Sequence, residues 1–213
     1  MLLLTRRLRP LAIQPAALSV VWLIASIQPA AAQDARSGQT QVFGVTGTGS
    51  RFVYVFDRSL SMKGVALDAA KRELLASLRQ LDRVHQFQIV FYNEAPRVMQ
   101  PPQMQFADEN GLRAAEVFVG GITAGGGTDH VQALKLAMRM SPDVIFLLTD
   151  ADEPQLSRKE LEEVHRSNGG AVINVIEFKS GLDPGKGASL RKLADENRGQ
   201  YKYVDVSKLP ASR

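Results

Sequence analysis

The chain has 213 residues, 45% hydrophobic and 23% charged, an ordinary globular composition with room for one substantial core, which excludes a disordered or collagen-like polymer. It contains no cysteine, so disulfide staples and thiol chemistry are excluded. The formal charge of +4 owes much to Arg6, Arg7 and Arg9; of 26 basic residues, 23 remain without them against 22 acidic ones. No basic stripe with interleaved aromatics follows, which argues against a nucleic-acid partner.

In chain order, the first feature is a basic head, an apolar stretch over 16–27 and an Ala30-x-Ala32 motif. That combination reads as a signal peptide over 1–32, too short for a spanning helix, and places the mature protein in the periplasm or outside the cell. A membrane is expected only if that segment is retained. Residues 33–40 are small and polar and read as a linker, with a folded domain over 41–208 and a tail over 209–213.

Within the domain, short apolar runs alternate with segments of helical period, the pattern of a mostly parallel sheet covered by helices on both faces. The run 52–56 is continuously apolar, as expected of a central strand buried on both sides. A helix over 64–81 follows, with Leu67, Ala70, Leu74, Leu78 and Leu81 along one stripe. Further strands are predicted over 87–92, 144–148, 172–176 and 201–204. A short edge strand over 97–99 is hemmed in by Pro96, Pro101 and Pro102. Helices are predicted over 108–119, 129–140, from the Ser157-x-x-Glu160 capping box to Asn168, and over 189–197. No internal repeat or low-complexity tract is present.

Sheets of this kind carry their functional loops at the carboxyl ends of the strands. There the first buried strand runs into Asp57-Arg-Ser59-Leu-Ser61, a second into Thr149-Asp150-Ala-Asp152, and a glycine-rich segment delivers Thr128 at the start of a helix. Carboxylates and hydroxyls without His or Cys suit Mg²⁺ or Mn²⁺ better than zinc or copper, because hard cations prefer oxygen donors.

These residues resemble the metal-ion-dependent adhesion site of von Willebrand factor A domains, and the likeness extends over 51–204. The resemblance implies an α/β Rossmann-like three-layer sandwich with strand order 3-2-1-4-5-6 and one short antiparallel edge. It also implies a Mg²⁺ ion, or Mn²⁺ or Ca²⁺ in its place, held by Asp57, Ser59, Ser61, Thr128 and Asp150. The serines would bind directly, and the threonine and aspartates directly or through water. A protein partner's Asp or Glu would complete the octahedron, giving a non-enzymatic module of adhesion or envelope assembly. Leu60 and Ala151 stand where many members carry Gly, and Asp152 adds a nearby carboxylate.

Other readings compete. Ser59 and Ser61 precede a helix and could be caps, and Gly125 to Thr128 could cradle a phosphate, although no Walker lysine follows. An Asp at the end of the first strand also resembles the nucleophile loop of haloacid-dehalogenase phosphatases, but the general acid needed two residues later is here Ser59. A structural domain with an unused metal site is a further alternative. His85, His130 and His165 are too scattered to share a metal, Met99, Met104, Met138 and Met140 read as gap-fillers, and Arg158-Lys159 reads as a solvated helix start.

Overall fold

Seven consecutive residues, Arg51–Asp57, form the strand around which the sheet is assembled, and six of them are buried. A computed structural model describes residues 37–150, 155–183 and 187–209. The leader reading over 1–32, and Ala151 and Asp152, lie outside those residues. Strands and helices are numbered in chain order: β1 (Gly38–Val42), β2 (Val45–Gly49), β3 (Arg51–Asp57), α1 (Val65–Leu78), β4 (Gln86–Tyr92), β5 (Pro96–Val98), β6 (Gln105–Phe106) and α2 (Glu109–Gly120). Then follow α3 (His130–Met138), β7 (Val144–Thr149), α4 (Arg158–Ser167), β8 (Val172–Lys179), α5 (Ala188–Glu196) and β9 (Tyr201–Asp205).

The main sheet runs β5-β4-β3-β7-β8-β9, with β6 paired to β4 off this path; the six strands of the path, numbered along the chain, give the order 3-2-1-4-5-6. All pairings from β4 to β9 are parallel. The edge strand β5 is antiparallel to β4, and so is the two-residue β6, which the sequence pattern does not reveal. Strand alternation divides the core in two. Phe52, Tyr54, Phe56, Phe146, Ile176 and Phe178 point to one face, covered by α1, α2 and the β1–β2 hairpin. Val53, Val55, Ile145, Leu147 and Val175 point to the other, covered by α3, α4 and α5. The result is a three-layer α/β sandwich.

The helices start where their polar residues direct. Asp108 and Asp129 accept the backbone N–H groups of Gly111 and Gln132 at the starts of α2 and α3, and Ser157 forms the full capping box with Glu160. The stripe from Leu67 to Leu81 is buried throughout.

One expectation is corrected. The segment 33–40 is not wholly a linker, because Gly38, Gln39 and Thr40 pair with Gly49, Thr48 and Gly47 in the hairpin. Threonine- and glycine-rich, the hairpin lacks the apolar alternation by which a strand is recognised. Tertiary contact holds it instead. A Cβ on Gly47 would lie 2.7 Å from the Phe146 ring, so only glycine lets β2 approach the sheet this closely. At the hairpin tip the Phe43 ring lies 4.8 Å from that of Phe178.

A buried hydroxyl relay ties hairpin, helix and central strand together. Tyr54 Oη lies 2.9 Å from Ser77 Oγ, Ser77 Oγ lies 2.7 Å from Thr40 Oγ1, and Thr40 donates to the Ser77 carbonyl at 2.7 Å. Burial pushes the Tyr54 phenol well above its ordinary pKa, so it serves as a neutral donor. Ser77→Ala removes the hydroxyl that joins Tyr54 to Thr40, leaving Thr40 its bond to the Ser77 carbonyl, and is expected to cost about 1–3 kcal/mol in urea unfolding, more than a solvent-facing Ser→Ala change.

Candidate functional site

Parallel register brings the ends of four strands level. Asp57 pairs with Tyr92, and Thr149 with Glu177, on neighbouring strands. By alternation all four side chains leave the sheet on the α3–α5 face, as a polar row ending an apolar core. Thr149 donates to Asp57 Oδ2 at 2.8 Å, Tyr92 Oη lies 2.9 Å from His130 Nδ1, and Tyr201 donates to Glu177 Oε2 at 2.5 Å. His130 is therefore a buried partner of Tyr92, as a helix-facing histidine would be. Neither Tyr92 nor Glu177 stands out in the sequence, since each sits within a run of apolar residues.

Asp57 is fully buried. Its Oδ1 accepts the Ser59 N–H at 2.7 Å, which folds the chain back into a tight turn immediately after the strand. That turn leads into a 3-10 turn over Leu60–Met62. Ser59 Oγ and Ser61 Oγ lie 3.1 Å apart. Neither serine caps a helix: Ser59 makes no capping bond to the 3-10 turn, and the N-cap of α1 is Gly64. The capping alternative therefore fails, and the two hydroxyls face each other without a helical role.

The glycine-rich loop is fastened to this turn. Leu60 N–H donates to the Gly126 carbonyl at 3.1 Å, and Gly125 N–H donates to the Arg58 carbonyl at 2.9 Å. Asn93, just past β4, donates through Nδ2 to the Gly125 carbonyl at 2.6 Å and accepts from Arg58 Nη2 at 3.2 Å. Its own carbonyl accepts the Asp129 N–H at 2.8 Å. Gly126 adopts φ +78°, and a Cβ there would sit 2.6 Å from Asn93 Nδ2, so glycine is required on two counts. Gly127 N–H is taken by Glu94 Oε1 at 3.0 Å. With two of its amides already bonded within the protein, the loop is not the open phosphate cradle considered above.

The five expected ligands are thus placed as follows. Asp57, Ser59 and Ser61 are joined directly through hydrogen bonds. Asp150 is buried, lines one cleft with Ser61 and acts on Asp57 through its charge. Thr128 is half-buried, between Gly127 and Asp129, whose N–H groups are held by Glu94 Oε1 and by the Asn93 carbonyl. Arg58 and Asn93 were not legible as site residues, although Asn93 occupies a strand end where such residues are expected. Leu60 is 62% exposed on the rim.

Desolvation raises the Asp57 pKa from 3.8 to about 6; the bonds from Ser59 and Thr149 oppose the rise and the Asp150 charge adds to it. Because the folded-state pKa lies above the unfolded one, folding is favoured below pH 4 and weakened as pH rises through 6. The full penalty is on the order of 3 kcal/mol. Asp57→Asn keeps the shape and removes the charge. In EDTA at pH 7.5 it is expected to stabilise the protein by about 1–3 kcal/mol in thermal or urea unfolding, with the difference vanishing near pH 4.

Known proteins share this architecture. A structure described as von Willebrand factor type A from Catenulispora acidiphila superposes with a TM-score of 0.65 and 24% identity, covering 76% of this chain but only 41% of that one. The conserved hypothetical protein BatB from Bacteroides thetaiotaomicron gives 0.59 and 17% over 74% of this chain and 91% of its own. Proximal thread matrix protein 1 from the mussel byssus, in a structure with a zinc-occupied metal-ion-dependent adhesion site, gives 0.53 and 18% over 75% and 42%. At these identities the likeness is one of fold, and no curated protein matches significantly by sequence. The family model of the von Willebrand factor type A domain matches residues 50–203, and the chain belongs to that family.

Proposed function

We propose that this domain is a non-enzymatic binding module that holds a divalent cation through Asp57, Ser59, Ser61, Thr128 and Asp150 and uses it to capture a carboxylate of a protein partner. The observation that carries the proposal is the serine pair. In an octahedron with metal–oxygen bonds of about 2.1 Å, neighbouring ligand oxygens stand roughly 3.0 Å apart, whereas the bonds of about 2.4 Å typical of Ca²⁺ separate them by roughly 3.4 Å. Ser59 Oγ and Ser61 Oγ are held at 3.1 Å. Their spacing fits Mg²⁺ or Mn²⁺ before any ion arrives, and the all-oxygen donor set fits the same hard ions.

The residues divide the work. Ser59 and Ser61 offer neutral hydroxyls. Asp57 supplies negative charge while both its oxygens remain tied to Ser59 and Thr149, so it suits a water-mediated role and is poorly disposed to be a phosphatase nucleophile. With few anionic donors bound to it directly, the ion would stay electrophilic enough to take an incoming carboxylate at an open position, although Asp57 and Asp150 balance its formal charge. Among the described residues, no group of three His, Cys, Asp or Glu side chains could hold a metal. In the described part of the chain no helix is long and apolar enough to cross a membrane. We place the mature domain in the periplasm or outside the cell, with 1–32 removed as a signal peptide.

Calorimetric titration with Mg²⁺ and Mn²⁺ tests the reading. The wild type is expected to bind one equivalent, Ser61→Ala and Thr128→Ala at least tenfold more weakly, and no variant to hydrolyse a phosphomonoester. A wild type indifferent to both ions, or one that turns over substrate, defeats it. Asn93→Ala, which removes the bonds holding the glycine-rich loop, is expected to weaken the ion about 10- to 100-fold although it is not itself a ligand, measured in the same titration.

A further inference from the structure

A cleft of about 410 Å³ opens directly beside the proposed cation site, with Ser61 and Asp150 in its wall. Lys63 and Lys179 also line it, and Phe178 and Val206 contribute apolar surface. The first turn of α1 completes the wall, and its N-cap, Gly64, offers no side-chain acceptor to its N–H groups. Lys63 is exposed and forms no ion pair among the described residues.

Charge decides what such a cleft takes. A divalent ion would balance the two aspartates, Asp57 and Asp150, and the Lys63 ammonium then leaves its side of the described lining positive. The positive end of the α1 dipole adds to that field. A glutamate fits both surfaces: its methylene stem lies against apolar surface while its carboxylate reaches a cation.

We propose that the cleft is a second acidic subsite: the partner presents an extended segment with two carboxylates, one directed to the cation and the other, a glutamate, seated in the cleft against Lys63. The inference rests on the cation-bridged reading above and extends it from a single acidic residue to a diacidic motif. Successive side chains on one face of an extended segment repeat every second residue, roughly 6.8 Å apart, so close spacings of the two acids are the ones to test.

The probes are capped peptides holding two glutamates separated by one or by two glycines, and matching peptides with the second glutamate replaced by glutamine. Binding is measured by fluorescence polarisation in magnesium buffer on the full chain, wild type and Lys63→Gln. A solvent-accessible charge pair is worth up to about fivefold in affinity. The diacidic peptide of at least one spacing is expected to bind wild type about fivefold more tightly than its glutamine partner, and the advantage is expected to vanish in Lys63→Gln. Equal binding of the paired peptides at both spacings, an advantage that survives Lys63→Gln, or no peptide binding despite bound magnesium overturns the subsite. Magnesium titration of the same samples separates the two readings: loss of ion binding in wild type overturns the cation site and the subsite with it, whereas ion binding without a diacidic advantage overturns the subsite alone.

Discussion

The structure depends on a carboxylate buried at the end of a strand enclosed on both faces. Strand β3 is apolar to Phe56 and then presents Asp57, fully enclosed. An isolated buried charge is among the costliest features a fold can carry. Here Ser59 N–H and Thr149 Oγ1 each occupy one oxygen, and the bond to Ser59 also forces the sharp turn that sets the two serines side by side. The same interaction that makes the carboxylate tolerable therefore shapes the loop. What remains is a region of negative potential, which the proposed cation would relieve, so the proposed function and the instability would have one source.

A second layer of organisation comes from register. Because β4, β3, β7 and β8 are parallel and in step, Tyr92, Asp57, Thr149 and Glu177 form a polar row without any loop having to reach across. Asn93 then works outside that row, holding the β3 loop, the glycine-rich loop and the entry to α3 with one side chain and its own carbonyl. In the proposed cation site this is the support by which ligands on separate loops would be kept in place.

How much of this is legible in the sequence follows from the same physics. Strands buried on both faces read as continuous apolar runs, so β3, β4, β7 and β8 were evident, as was the capping box of α4. The carboxylate and hydroxyl positions were visible because each terminates such a run or follows glycines. Three features escaped. The hairpin is polar and glycine-rich, and only its packing on Phe146 and Phe178 makes it part of the core. Strand β6, two residues long, carries no periodicity. Arg58 and Asn93 act through bonds across loops, which no local pattern encodes.

The hairpin has a practical bearing on how this domain is handled. It precedes residue 50, where the family match begins, yet Val42 and Val45 are integral to the aromatic half of the core. Cutting the gene at the family boundary would strip Phe146 and Phe178 of their cover and leave a sticky apolar surface prone to self-association. An expression clone should therefore open upstream of Gly38, so that the two small strands travel with the sheet they seal.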